Sequence, residues 1–136
     1  MIQRIQSLWL LLASACAFLT FRVAFYFGPK AGSTVNDSLT AASNILLIIL
    51  AAAVGIGAFI TIFLYKDRKT QLRISIVALL LSILSIVVYI SQTKNYTDGK
   101  FTIGAIVSIV IPVFLFLAIQ GIWKDQKLIK SLDRLR

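Results

Sequence analysis

Four apolar runs, each about twenty residues long, dominate the sequence, and the stretches between and beyond them carry nearly all of its charge. About twenty consecutive apolar residues are enough for a helix to cross the roughly 30 Å hydrocarbon core of a bilayer. The runs extend from about Ile5 to Phe27, from Leu39 or Asn44 to Tyr65, from Ile74 to Ser91, and from Ile103 to Trp123. They are too long for barrel strands and lack the alternation a lipid-facing strand requires. A helix also satisfies its own backbone groups, which lipid cannot do. Composition agrees: 59% of the 136 residues are hydrophobic and 14% are charged, against about 25% charged in soluble domains. A soluble domain of this size needs more polar side chains than that to cover its surface. The expected fold is therefore a single-domain, all-α integral membrane protein. Four transmembrane helices over about 5–27, 39–65, 74–91 and 103–123 form an antiparallel bundle, followed by a tail over 124–136.

The charges orient such a bundle. Arg4 precedes the first run. Lys66, Arg68, Lys69 and Arg73 fill the second connection, and Lys124, Lys127, Lys130, Arg134 and Arg136 follow the fourth run. Those ten cations fall on one side of the bundle, against Lys30, Lys94 and Lys100 on the other. Cytoplasmic loops retain Lys and Arg, so both termini and the Lys66–Arg73 turn are expected in the cytoplasm, in contact with anionic lipid head groups. A net charge of +9 also suits nucleic acid. The basic clusters are short, however, and no stacking aromatics are interleaved among them, so nucleic acid is not an expected partner.

Within the first run, Arg22 is the only ionisable residue inside a span, and an intramembrane charge is a functional hypothesis by default. Its neighbours Phe21, Phe25, Tyr26 and Phe27 resemble an interfacial aromatic belt, so Arg22 is expected to reach the outer head groups. A buried role would need Asp37 or Asp98 from the outer loops. "LASAC", Leu12–Cys16, resembles a lipoprotein or signal-peptidase site. The apolar run continues past Cys16 without a polar tether, which predicts that the segment is retained.

Small residues mark where helices approach closely in lipid. Gly55 and Gly57 in the second run, Ser75, Ala78, Ser82 and Ser85 in the third, and Gly104, Ser108 and Pro112 in the fourth are the candidates. Pro112 deprives the Ser108 carbonyl of its usual donor and predicts a kink. Ordinary packing accounts for this set. A cavity lined by Ser82, Ser85, Ser108 and Gln120 is the functional alternative. In the outer loops, Asp37 or Ser38 is expected to cap an early start of the second helix, and Asp98-Gly99 predicts a two-stranded hairpin.

After Trp123, Leu128, Leu132 and Leu135 repeat at helical spacing among cations. This predicts an amphipathic C-terminal helix on the inner membrane surface or docked to a partner. The sequence has no His, no Glu and a single Cys. It shows no metal-ligand spacing and no glycine-rich phosphate loop. No cofactor, metal or catalytic residue is expected.

Three stretches, "MIQRIQSLWLLLA", "FLYKDRKTQLR" and "WKDQKLIKSLDRLR", together resemble the DUF4293 family of small four-helix inner-membrane proteins of Bacteroidota, whose function is unassigned. The resemblance covers the whole chain. It implies the bacterial inner membrane and cytoplasmic termini, and it implies no catalytic residues. A cytoplasmic platform of Gln3, Arg4, Gln6, Asp67, Arg68, Asp133 and Arg134 is then the expected partner surface, with Asp67 and Asp133 paired to neighbouring arginines. The expected role is a non-enzymatic accessory or scaffold subunit of a larger membrane protein complex. A small oligomeric transporter or lipid-binding membrane protein is the alternative.

Overall fold

The computed structural model describes residues 2–29, 32, 36–64, 66–96 and 99–134. Four helices carry the chain: α1 (Ile2–Leu19), α2 (Ile45–Phe63), α3 (Arg68–Thr93) and α4 (Ile103–Arg134). Three short strands, β1 (Tyr26–Pro29), β2 (Asn36–Leu39) and β3 (Lys100–Phe101), form an antiparallel sheet in the order β2-β1-β3. Helices α2, α3 and α4 are long and apolar enough to cross a membrane, whereas the apolar stretch of α1, Ile5–Leu19, is shorter.

Each helix turns one stripe inward at alternating spacings of three and four, the seam of a left-handed helix pair. In α1 the stripe runs through Gln6, Leu10, Ala13 and Ala17, and in α2 through Leu47, Ala51, Val54, Ala58 and Thr61. In α3 it runs through Gln71, Ser75, Ala78 and Ser82, and in α4 through Ser108, Ile111, Leu115, Ala118 and Ile122. The stripes are small or medium-sized, so the helices come close. Helix α1 packs against α2 and α4, and α3 packs against the same two. Gln6 of α1 meets Arg68 of α3 and the backbone around Gly121 of α4, while the chain just past α1 meets Gly104 at the other end of α4. Successive helices therefore run in alternating directions, with the sheet at one end. The outward faces carry exposed Ile49, Ile60, Leu80, Val87, Ile106 and Val113.

The first helix stops well short of Phe27. After Leu19 the chain turns, and the Thr20 hydroxyl donates to the Ala17 carbonyl at 2.5 Å. The β-branched and aromatic residues that follow favour extended backbone. Tyr26 lies opposite Leu39 on one side and Phe101 on the other. Phe25 stacks on Tyr89 with ring centroids 4.4 Å apart, in a cluster with Leu39, Ala41, Leu47, Tyr96 and Ala105. Arg22 is consequently not an intramembrane charge: it lies beyond α1, exposed in the turn. Asp98 and the side chain of Asp37, its expected partners, lie outside the described residues. Lys100–Phe101 pairs with β1 in the three-stranded sheet, and the Asp98 turn expected before it lies outside the described residues. Ser38 lies in β2, and Asn44 caps α2, its side chain accepting from the Leu46 N–H at 3.1 Å.

The C-terminal segment is not a separate helix. It continues α4, which remains one helix of 32 residues through Pro112.

Two glycines on the small-residue list differ in kind. A Cβ on Gly55 would press on the Phe18 ring at 3.1 Å, and the Gly55 carbonyl accepts from the Ser14 hydroxyl at 2.9 Å. A Cβ on Gly57 would meet nothing within 4 Å among the described residues, so Gly57 mediates no packing among them. At Gly104 a Cβ would collide with the Ala24 carbonyl oxygen, a backbone atom. Gly104→Ala is expected to destabilise by about 1–3 kcal/mol through overpacking. Gly57→Ala is expected to stabilise by about 0.5–1 kcal/mol, since Ala suits a helix interior better than Gly. Unfolding of both variants in bicelles checks the pair, and equal effects at the two positions would contradict this packing.

Candidate functional site

The inward stripes end in polar side chains where α1 begins, α2 ends, α3 begins and α4 passes. Arg68 opens α3, three residues before Gln71, and so shares its inward face. Its Nη1 donates to Gln6 Oε1 at 3.0 Å and to Gln71 Oε1 at 3.3 Å. Its Nη2 stands 3.2 Å from Asp125 Oδ2, with the closeness of an ion pair but not the alignment of a hydrogen bond. Both side chains are mostly buried, 11% and 14% exposed. Gln71 Nε2 donates to the Thr61 carbonyl at 3.1 Å, one of the last carbonyls of α2, where the helix itself supplies no full set of donors. Gln6 is only 2% exposed, and Gly121 admits it, since a Cβ there would lie 2.7 Å from Gln6 Cγ. All four helices are thus tied at one end by a cluster of two amides, a guanidinium and a carboxylate.

Asp67 does not pair with Arg68. It caps α3: Oδ2 accepts the Thr70 hydroxyl at 2.6 Å and Oδ1 accepts the Thr70 N–H at 3.3 Å. The Thr70 hydroxyl first, and then its N–H, hold the Asp67 carboxyl below the ordinary value of 3.8. Lys66, Lys69 and Arg73 around this turn are exposed, as are Lys124, Lys127, Lys130 and Arg134 on α4. The side chains of Gln3, Arg4 and Asp133 lie outside the described residues. Of the expected platform, the structure joins Gln6 and Arg68 inside the bundle and leaves the other described cations on its surface.

Gln71 and Asp125 were not among the expected site residues. The signal was their register. Asp125 follows Ser108, Ile111, Leu115, Ala118 and Ile122 at the same three-and-four spacing, so it faces inward where its cationic neighbours do not.

A second polar feature lies further along the bundle axis. Ser82, Ser85 and Ser108 line one small cavity with Thr20 and Tyr89, and Gln120 is absent from it. Its volume, about 20 Å³, admits one water-sized body.

Fold and site together define a class: a four-helix protein, greasy outside, with three helices long enough to cross a membrane and a buried ion-paired polar cluster at one end. The chain belongs to the DUF4293 family, a domain of unknown function, whose model matches residues 2–135. Comparison with curated proteins and with solved structures finds no match. The three stretches that resemble the family each supply a member of the cluster: Gln6 from the first, Arg68 and Gln71 from the second, Asp125 from the third.

Removing one partner of a mostly buried ion pair leaves an uncompensated charge, at a cost of about 3–5 kcal/mol. Arg68→Met and Asp125→Leu are each expected to destabilise in that range, and the double variant by much less than their sum. Additive losses in a double-mutant cycle would show that the two side chains do not brace each other. Asp67 gives a separate expectation. Its folded value is depressed, so its contribution is present above the ordinary aspartate value and is lost as pH falls through the lowered folded one. Acid unfolding of Asp67→Asn should lack that component, and an unchanged acid limb would count against the cap.

Proposed function

We propose that this chain is an integral protein of the bacterial cytoplasmic membrane, crossing it four times with both termini inside, and that it acts as a non-enzymatic accessory or scaffold subunit of a larger membrane assembly. The reading rests on one observation: the braced end is also the cationic end. Lys66, Lys69 and Arg73 surround the α2–α3 turn beside the Arg68–Asp125 pair, and Lys124, Lys127, Lys130 and Arg134 continue α4 past it. Of the exposed cations described, Arg22, Lys94 and Lys100 lie towards the sheet end. The positive-inside bias makes the braced end cytoplasmic.

Helix lengths fit this placement. At 1.5 Å per residue, α4 is about 48 Å long, well beyond a core of roughly 30 Å. Its last turns therefore stand in water and present Lys127, Lys130 and Arg134 on a rigid rod, with Leu128, Ile129 and Leu132 exposed beside them. Helix α1 is about 27 Å long, a small mismatch that bilayer thinning accommodates. Anionic lipid head groups neutralise the cations nearest the membrane, and a membrane protein partner takes the protruding rod. The small cavity speaks against solute passage through a single copy, so transport would require several.

Two measurements test the proposal. Cysteines at positions 69 and 130 should react with a membrane-impermeant maleimide only after cells are opened, and labelling in intact cells would refute the orientation. Asp133→Lys with Arg134→Glu, in a chain that still inserts, should abolish co-purification with defined partners from mild detergent. Native mass spectra showing only homo-oligomers carrying lipid would favour the transporter or lipid-binding alternative.

A further inference from the structure

The hydroxyl of Ser108 is buried, 4% exposed, and makes no hydrogen bond to any described residue. In an apolar bundle such a group costs as much as a lost hydrogen bond. Its backbone is also short of a partner, because Pro112, four residues on, has no N–H to offer the Ser108 carbonyl. The cavity of about 20 Å³ opens on this residue. Across it, the Ser82 hydroxyl donates to the Leu79 carbonyl at 2.7 Å and the Ser85 hydroxyl to the Leu81 carbonyl at 3.0 Å. Both serine oxygens have spent their protons on their own helix and keep lone pairs free. The Tyr89 hydroxyl is engaged with Thr20. One donor therefore lacks an acceptor, beside at least two acceptors that lack donors, around a space the size of one water.

We propose that this cavity is a binding site for a single water molecule. The water accepts the Ser108 hydroxyl proton and donates its own two protons to oxygens of the lining, those of Ser82 and Ser85 foremost. Three partners are the usual complement of a buried water. The volume excludes larger ligands. The inference concerns the bundle interior alone and stands or falls independently of the scaffold reading.

The test uses the full chain in nanodiscs of phosphatidylcholine and phosphatidylglycerol, with methyl labels on Ala51, Val54 and Ile111, which line the cavity. Long-lived water-to-methyl cross-relaxation is expected at these three positions. It should vanish in Ser108→Val, whose side chain fills the space, while the rest of the spectrum keeps its folded dispersion. Ser108→Ala supplies a sign. If water satisfies the hydroxyl, its removal lowers Tm by about 3 °C; if the hydroxyl is unpartnered, its removal relieves a penalty and Tm rises. Silent methyls in the folded wild type, or a rise in Tm for Ser108→Ala, would overturn the proposal.

Discussion

The structure depends on close approach of helices along stripes of small residues. Ala13, Ala17, Ala51, Gly55, Ala58, Ala78 and Ala118 keep the facing backbones near one another, and the alternating three-and-four spacing holds each stripe toward its neighbours over several turns. In lipid, apolar side chains gain little by leaving their solvent, and contact at short range takes over as the source of cohesion. Small residues supply that contact. They also leave room inside for polar groups, and the axis of this bundle is populated by Ser14, Thr61, Gln71, Ser75, Ser82 and Ser108. Several of these hydroxyls return their proton to a carbonyl of their own helix, as Thr61 does to Gly57 and Ser75 to Gln71. They are thereby made nearly as undemanding as alanine.

The Arg68–Asp125 pair is a different sort of interior polarity. A mostly buried ion pair is weak evidence for stability, because desolvation offsets the attraction. Its value here is positional. Arg68 reaches Gln6 and Asp125 only if α1 and α4 are turned to one rotational setting and slid to one height, and Gln71 adds the end of α2 to the same condition. Smooth apolar stripes permit sliding by a turn, whereas a guanidinium with one carboxylate and two amides does not. The cluster acts at the end where, in the proposed placement, the bundle leaves the hydrocarbon. Desolvation is least severe there, and chain register still needs to be fixed.

Much of this was legible in the residues. The four helices, the inward seam Ser75–Ala78–Ser82 and the gathering of cations at one end follow from run length, spacing and charge. What escaped has physical reasons. Apolarity and helicity coincide only while nothing better is available to the backbone. The "TFRVAFYF" segment continues the apolar run of α1, yet its end finds two strands to pair with, and Arg22 lies in a turn and not in a span. Asp125 was concealed by charge counting, which groups it with Lys124 and Lys127; only its helical register sets it apart. Gly55 and Gly57 look alike in a list of small residues, but they lie two apart on a helix and so point to different faces.

The distribution of chemistry over the surface bears on how such a protein is recognised. Its flanks are apolar, mostly aliphatic with Phe18, Phe59 and Phe116 among them, and an apolar flank distinguishes poorly between a neighbouring helix and lipid. Among the described residues, exposed charge is confined to the two ends: Arg22, Lys94 and Lys100 beside the aromatic residues of the sheet, and the cations on the α2–α3 turn and on α4. A partner that selects this chain must read one of those ends. The cationic end is the one held rigid by all four helices, and recognition there loses little freedom on binding, because the brace has already removed it.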